Sequence, residues 1–327
     1  MTWRMPAEWA PHERCVMAWP ARSTMWRGQF EQAKSDYAAV ACEIETTETV
    51  LMVAPPGAGA DAREKCDAID VEVVEWPIDD SWTRDIGALI VVDGDRRAGV
   101  DFAFNSWGEK FVPYDEDARF GARMCDALGF ERIDASSFVL EGGAVTVDGA
   151  GTLVTTEECL LNPNRNPTLT RDAIEAELRT RLGVERVVWL PYGILEDDDT
   201  DGHVDNVAAF VAPGRVIAQT TRDRDDPNYE RLRRNVDVMT AAGLDVLELD
   251  VLTRTSVAGE SVVVPPLNAY LANDRVIVPV AGGDRDAHRA LAIWEEAFPD
   301  RGITDVPGAT LAYGGGGVHC ITQQVPR

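Results

Sequence analysis

The chain has 327 residues, of which 56 are acidic and 31 are basic, and its formal net charge is -25. Hydrophobic residues make up 45% of it, which is typical of a globular protein and excludes a disordered or fibrous one. The negative charge repels nucleic acid and anionic membranes, and no run approaches the roughly 20 apolar residues that cross a bilayer. We therefore expect a small cationic partner, no nucleic acid and no membrane.

Helical periodicity is the clearest pattern in the sequence. Apolar residues at helical spacing recur five times along the chain and predict five helices. They lie around Phe30–Ile44, Phe120–Leu128, Ile174–Leu182, Tyr229–Met239 and Ala287–Phe298.

Strand-like runs closed by turn pairs such as Asp93-Gly94 and Asp148-Gly149 lie between these helices and predict hairpins. A polar residue opens the first strand of each hairpin, at similar intervals along the chain. These residues are Asp85, Glu141, Asp205 and Asn268, followed by Cys320 at a short last strand. The loose period predicts a closed array of sheet-plus-helix units.

Rotation of such units about one axis directs equivalent positions to one central place. We therefore expect Asp85, Glu141, Asp205 and Cys320 to meet, although simple capping of strand ends explains any one carboxylate equally well. No linker-like segment divides the sequence, so we expect one catalytic domain over residues 1–327. The strand-like run Cys15–Trp19 is expected to complete the sheet beside Cys320.

Cys320 is the candidate nucleophile among six scattered cysteines. It follows the glycine run Gly314–Gly317, which removes side chains beside the thiol and lets a substrate approach the backbone. The other cysteines form no Cys-x-x-Cys pair and are read as buried, reduced thiols. Reduced thiols and the absence of a secretory signal favour a cytoplasmic protein.

His203 is the candidate for proton transfer, because it lies between Gly202 and Val204 in an Asp-Gly-His-Val-Asp segment. His12 and His288 are expected to face solvent. His319 adjoins Cys320 but points to the opposite face of the predicted strand, so we expect a packing or supporting role.

Metal motifs are incomplete in the sequence. Asp197, Asp199 and Asp201 match the start of a calcium loop, but Ala208 occupies the position of its bidentate glutamate. No HExxH motif and no paired Cys/His set for zinc occurs. We expect neither a metal nor a cofactor.

A cysteine, a histidine and three carboxylates suit attack on a planar cationic carbon such as a guanidinium, which carboxylates bind through its N–H pairs.

The sequence resembles the agmatine deiminase family of the guanidine-modifying pentein superfamily, which also holds bacterial-type peptidylarginine deiminases. The similarity runs nearly end to end. Its markers are Met5–Trp9, Trp19-Pro20, Asp79–Gly87, Asn105–Gly108, Glu141–Gly143, Asn162–Pro167, Asp201–Asp205 and Gly314–Gln324.

The resemblance implies a five-bladed α/β propeller with pseudo-fivefold symmetry. It also implies that Cys320 attacks the guanidinium carbon to form an amidino-thioether, while Asp85 and Asp205 hold the nitrogens. His203, oriented by Glu141, would protonate the departing ammonia and then activate water. Agmatine would give N-carbamoylputrescine, and a homo-oligomer is expected.

The resemblance also marks a substrate pocket, in which Trp82 and Trp107 would line the alkyl chain unless they serve only core packing. Asp79 and Gly317 are further candidates for substrate contact. Gly317 departs from the family, where an asparagine is expected, and Glu109-Lys110 departs where a glycine is common.

Two alternatives remain open at this point. The first is a deiminase or amidinotransferase for another guanidine, namely arginine, peptidyl arginine or a specialised metabolite. The second is a catalytically silent propeller that binds a partner.

Overall fold

The structure is a computed structural model that describes residues 3–66, 71–282 and 284–327. The helices are α1 (Phe30–Glu45), α2 (Gly59–Lys65), α3 (Thr83–Ile86), α4 (Ser106–Glu109), α5 (Phe120–Leu128), α6 (Glu157–Leu160), α7 (Arg171–Leu182), α8 (Tyr229–Ala241), α9 (Asp284–Ala297) and α10 (Ala309–Tyr313). Short 3-10 turns cover Asp117–Arg119, Gly142–Ala144 and Val204–Asn206.

The strands alternate with these helices. They are β1 (His12–Ala18), β2 (Thr49–Ala54), β3 (Val71–Glu75), β4 (Leu89–Asp93), β5 (Arg96–Ala103), β6 (Glu131–Val139), β7 (Thr146–Val147), β8 (Thr152–Thr156), β9 (Arg186–Leu190), β10 (Ala208–Ala212), β11 (Arg215–Gln219), β12 (Asp245–Leu249), β13 (Thr253–Val257), β14 (Glu260–Val264), β15 (Tyr270–Ala272), β16 (Arg275–Val280), β17 (Gly302–Pro307) and β18 (Thr322–Pro326).

All five helices predicted from periodicity are present, as α1, α5, α7, α8 and α9. Their ends follow local chemistry. The Thr170 hydroxyl accepts a hydrogen bond from the Ala173 N–H at the start of α7. Gly129 and Gly183 end α5 and α7 with φ of 69° and 67°, a left-handed conformation that costs glycine little.

The sheets repeat one pattern. In β4-β5-β6, β7-β8-β9 and β15-β16-β17, an antiparallel hairpin is followed by a parallel strand. The sheet β18-β1-β2-β3 pairs the N-terminal strand antiparallel to the C-terminal one, so the expectation for Cys15–Trp19 is confirmed. Strands β10-β11-β12 and β13-β14 form two more sheets, and no pairing among the described residues joins one sheet to another.

The chain forms two compact units. The first comprises Asp85–Glu248 with the N-terminal residues up to Glu8, and the second comprises Trp9–Arg84 and Leu249–Arg327. In the first unit, Met5 joins a buried apolar cluster built from β4 to β9 and α7. In the second, the Trp26 ring stacks on Trp82 with centroids 5.7 Å apart.

Two sequence expectations need correction. The polar residues that recur with the sheets lie before the first strands, Asp85 in the short helix α3 and the others in or beside turns, because the chain there turns instead of extending; the Ala144 N–H, for example, donates to the Glu141 carbonyl. His12 is buried, because its ring packs beside the Glu48 carboxylate, 3.2 Å away, whereas His288 is exposed as expected. No helix among the described residues is long and apolar enough to cross a membrane.

Candidate active site

Gly143 is the centre of a charged cluster in the first unit. A Cβ built on Gly143 would lie 2.6 Å from His203 Nδ1, 2.9 Å from Asp85 Oδ1 and 3.0 Å from Asp205 Oδ2. Any side chain here would collide with all three groups, so glycine is required for close approach. The structure therefore brings Asp85, His203 and Asp205 together around one backbone position, next to Glu141.

Asp85 is held in place by two N–H donors. Its Oδ1 accepts from the Gly143 N–H and its Oδ2 from the Trp107 indole N–H, each at 3.0 Å. Burial raises the pKa of Asp85 to about 6, although the His203 charge opposes that shift. An ionised Asp85 is therefore retained at neutral pH in a fully buried position.

His203 lies between two carboxylates. Its Nδ1 is 3.8 Å from Asp85 Oδ1 and its Nε2 is 4.0 Å from Glu141 Oε2, so both are beyond hydrogen-bond distance. Burial opposes the charged form, but the Asp85 carboxylate and the other neighbours together raise the pKa of His203 well above its ordinary value. The ring is therefore charged at neutral pH and can donate a proton.

Asp197 fixes the turn that carries His203. Its Oδ2 accepts hydrogen bonds from the His203 backbone N–H at 3.1 Å and the Thr200 hydroxyl at 2.6 Å, and its Oδ1 accepts from the Thr200 N–H. The acidic run that begins like a calcium loop thus serves as a turn cap in this structure.

Arg165 ties Glu141 to the same turn. Its Nε donates to Glu141 Oε1 at 2.6 Å, and its terminal nitrogens donate to Asp201 Oδ2 at 2.6 Å and to the Thr200 carbonyl at 2.9 Å. Both members of the Arg165–Glu141 pair are fully buried, and a buried guanidinium of this kind needs most of its donors paired. Arg165 therefore sets which Glu141 oxygen faces His203.

Lys110 joins the same acidic loop from the segment after Trp107. Its ammonium lies 2.8 Å from Asp201 Oδ1 and donates to the carbonyls of Asp198 and Asp199 at 2.6 and 3.1 Å. Trp107 itself has a φ of 54°, a strained conformation that its bond to Asp85 helps to hold. Lys110 thus anchors a loop of this cluster.

Cys159 is a further buried group beside His203. Single ligand atoms of Glu141, Cys159 and His203 all lie within 4.8 Å of one another. Burial raises the pKa of the Cys159 thiol above its ordinary value, against the effect of the neighbouring His203. The thiol is buried in the apolar cluster, as expected, and its sulfur also lies beside His203.

The second unit holds Cys320 with Asn268. The Asn268 amide Nδ2 lies 3.3 Å from Cys320 Sγ, and its Oδ1 is 3.5 Å from the same sulfur. The His319 backbone N–H donates to Asn268 Oδ1 at 3.0 Å, which fixes the amide so that its N–H groups face the thiol. Asn268 can therefore accept from the thiol or donate to the thiolate.

The glycine run before Cys320 is packed tightly. A Cβ on Gly316 would lie 2.4 Å from the Trp82 ring and 3.1 Å from Cys320 Cβ, and one on Gly317 would lie 2.3 Å from Asn268 Oδ1. The Asn268 side chain thus leaves no room at position 317 for the asparagine that the family resemblance predicts there. The run brings Trp82 and Asn268 against the segment that carries the thiol.

The pocket candidates are divided between the units. Trp82 and Trp107 are both buried, and each has ring neighbours, Trp26 for the former and Phe104 for the latter. Asp79 is half-buried and adjoins Asp80, whose pKa burial raises to about 6. The geometry of the two tryptophans is compatible with core packing and with substrate contact.

The sequence predicted no supporting role for four residues of the site, which are Arg165, Asp197, Cys159 and Asn268. Two signals were available. Asn268 holds the same place in its repeat as Asp85, and Arg165 lies in the Asn162–Pro167 motif. No comparable signal marked Cys159, whose position follows from the short helix α6.

Comparison with known proteins was made on the whole chain. The model of the Porphyromonas-type peptidyl-arginine deiminase family matches residues 4–326. An agmatine deiminase of Pseudomonas aeruginosa is 39% identical over 358 residues, covering 99% of this chain and 95% of the relative.

Solved structures agree. A structure of the agmatine deiminase of Enterococcus faecalis has a TM-score of 0.93 and 33% identity, covering 100% of this chain and 96% of that one. The substrate-bound agmatine deiminase of C. jejuni has a TM-score of 0.90 and 26% identity, covering 99% and 96%. The shared α/β architecture is the pentein fold. The chain therefore belongs to the Porphyromonas-type peptidyl-arginine deiminase family, which confirms the resemblance to agmatine deiminases seen in its motifs.

Proposed function

We propose that the protein hydrolyses agmatine to N-carbamoylputrescine and ammonia. The observation that carries this proposal is the packing of Asp85, His203 and Asp205 around Gly143 in a chain whose relatives are agmatine deiminases over nearly their full length. Two buried carboxylates beside an imidazole suit a planar cation with several N–H donors. Agmatine has no carboxylate, so its recognition requires no arginine clamp.

The first half of the reaction forms a covalent intermediate. The Cys320 thiolate attacks the guanidinium carbon while Asp85 and Asp205 hold its nitrogens. His203 donates its proton to one nitrogen, the carbon–nitrogen bond breaks, and ammonia leaves an amidino-thioether on Cys320. The raised pKa of His203, caused chiefly by Asp85, supports its role as the acid.

The second half releases the product. His203, now neutral, removes a proton from water, which attacks the amidino carbon. Collapse of this tetrahedral species expels the Cys320 thiolate, passes the hydroxyl proton to the released ammonia or to solvent, and leaves a ureido group; the overall reaction consumes one water. Glu141, held by Arg165 on its other oxygen, steadies the charged imidazole. Asn268 donates to the sulfur and favours the thiolate that begins and ends the cycle.

The larger organisation is part of the same proposal. We infer one catalytic domain, arranged as a five-bladed propeller with pseudo-fivefold symmetry, and a cytoplasmic homo-oligomer that needs neither a metal nor a cofactor for the reaction. The repeated hairpin-plus-parallel-strand sheets support the propeller, and the membership of a deiminase family supports the domain.

The direct test is an assay of purified protein with agmatine, in which the ureido product and ammonia are both measured. Equal amounts of the two products support hydrolysis, whereas an amidino transfer to an added amine would consume agmatine and release its alkylamine part, with little ammonia or ureido product. Arginine and an arginine-containing peptide serve as comparison substrates. Faster turnover of either one, or no turnover of agmatine, would contradict the assignment.

A further inference from the structure

We propose that Glu141, Cys159 and His203 bind one divalent transition-metal ion of the zinc class, and that the bound ion reversibly inhibits the enzyme. The site uses a thiol that the proposed reaction does not need. It shares a histidine that the reaction does need, so the enzyme cannot turn over its substrate while the ion is bound.

The three side chains offer a suitable set of donors. A carboxylate oxygen, a thiol sulfur and an imidazole nitrogen lie within 4.8 Å of one another, and all three residues are buried. Donor atoms around a tetrahedral zinc ion lie roughly 3.3 to 3.5 Å apart, because the bonds are about 2.0 to 2.3 Å long. The cluster is slightly wider than such a site, and small side-chain rotations close it.

Unpaired buried atoms point independently to a ligand. Glu141 Oε2 has no hydrogen-bond partner among the residues that the structure describes, and the ring nitrogens of His203 lie beyond hydrogen-bond distance of the Asp85 and Glu141 carboxylates, with the Cys159 thiol beside them. Glu141 is 0% exposed and His203 is 1% exposed, so each unpaired atom carries a desolvation cost. A cation bound between Oε2 and Nε2, now 4.0 Å apart, satisfies both.

The groups around the three side chains resemble those that orient the ligands of a metal site. Arg165 Nε donates to Glu141 Oε1, which leaves Oε2 as the coordinating oxygen. Asp85 Oδ1 lies 3.8 Å from His203 Nδ1, on the other side of the ring from Glu141. A hydrogen bond to a ligating carboxylate orients it, and a carboxylate behind a ligating histidine does the same once the two form a hydrogen bond.

The donor chemistry selects the class of ion. Thiolate and imidazole favour zinc or cobalt over magnesium or calcium, which prefer oxygen ligands. On binding, the Cys159 thiol and the charged His203 ring each lose one proton to solvent, and the freed imidazole nitrogen donates its lone pair to the ion. His203 can then neither protonate ammonia nor activate water, which explains the inhibition.

Cobalt provides a readout that does not depend on activity. We expect Co²⁺ added to Cys320→Ser protein to produce the near-ultraviolet absorption of a thiolate–cobalt bond. The same absorption should vanish when Cys159→Ala or Cys159→Ser is added to that variant. Adding Cys125→Ala, which removes another buried thiol of the same unit, should leave it unchanged. Absence of the band in Cys320→Ser, or its survival after loss of Cys159, overturns the proposal.

Zinc inhibition of the active protein is the second measurement, with circular dichroism to confirm folding. We expect Zn²⁺ to stop ammonia release from agmatine and a chelator to restore it. Loss of the thiol ligand should raise the inhibitory zinc concentration at least about tenfold in Cys159→Ala and in Cys159→Ser. Equal sensitivity of both variants and the unaltered protein overturns the proposal. The cobalt result still stands if agmatine proves not to be the substrate, so the two proposals fail separately.

Discussion

The two units present contrasting chemical environments. Around His203 in the first unit, charges dominate, with Asp85, Glu141 and Asp205 close by and Arg165 behind Glu141. Around Cys320 in the second unit lie the Asn268 amide and the backbone of Gly316, and the Arg84 N–H donates to the Cys320 carbonyl. In the proposed reaction, residues of the first unit supply carboxylates and the proton, and Cys320 of the second supplies the nucleophile.

The largest effect should come from the thiol. Cys320→Ala removes the nucleophile, so we expect kcat for agmatine to fall by about 10⁴-fold or more. Cys42→Ala in α1 of the same unit is the matched control and should retain activity, because that thiol is half-buried and remote in sequence from the candidate site. Ammonia release measured under saturating substrate checks both. Residual turnover near the unaltered rate would remove Cys320 from the mechanism.

Removal of the proton donor should cost somewhat less. We expect His203→Gln to lower kcat by roughly 10² to 10⁴-fold, which is the usual contribution of general acid–base catalysis. His288→Gln changes an exposed histidine and should be neutral. If His203→Gln keeps its turnover and accumulates no covalent adduct, then His203 is not the proton donor and the charged cluster has another role.

Glycine packing gives a third comparison between the units. Gly143→Ala would push on His203, Asp85 and Asp205, and Gly316→Ala would push on Trp82 and Cys320. Because displacement of reacting groups by about 1 Å can cost about 10²-fold, we expect each variant to lose activity on that scale while remaining folded. Gly302→Ala is the control, since its nearest neighbour would be 3.7 Å away. Full activity of Gly143→Ala would show that these side chains need not meet the substrate.

The amide beside the thiol should have a moderate effect. Asn268→Ala removes a donor 3.3 Å from Sγ, and a hydrogen bond to a charged group contributes about 1.5 to 3 kcal/mol. We expect the alkylation rate of Cys320 by iodoacetamide at neutral pH to fall about tenfold, with kcat following it. Alkylation that is unchanged while kcat falls would assign Asn268 to substrate binding instead.

The pH dependence should report Asp85. Cation binding needs its ionised form, and burial raises the pKa of this carboxyl to about 6, so protonation on acidification removes binding. We expect kcat/KM to fall about tenfold per pH unit below about 6, with a flat region above it. Asp85→Asn should lack this limb at its much lower activity. A fall in kcat/KM that begins only near the ordinary aspartate pKa would show that burial does not raise the pKa of Asp85.

Local sequence pattern was sufficient to predict the five longest helices and the main candidate residues of the site. Helical spacing located α1, α5, α7, α8 and α9, because an amphipathic helix carries its period in its own residues. The recurrence of a polar residue before each hairpin singled out Asp85, Glu141, Asp205 and Asn268. Their placement two to five residues before the strands, in turns or in the short helix α3, was beyond the pattern, since period-two alternation does not show where extension begins.

Tertiary structure alone decided which side chains support the chemistry. Arg165 pairs with Glu141, Cys159 lies at His203, and Asn268 contacts Cys320, and these partners are separated by many residues along the chain. No local pattern encodes such pairs, because distant segments meet only when helices and sheets pack. The amino-acid sequence by itself determined the family, the repeated unit and the candidate reactive residues. Packing determined their protonation, orientation and neighbours, because burial and distance set the cost of each charge.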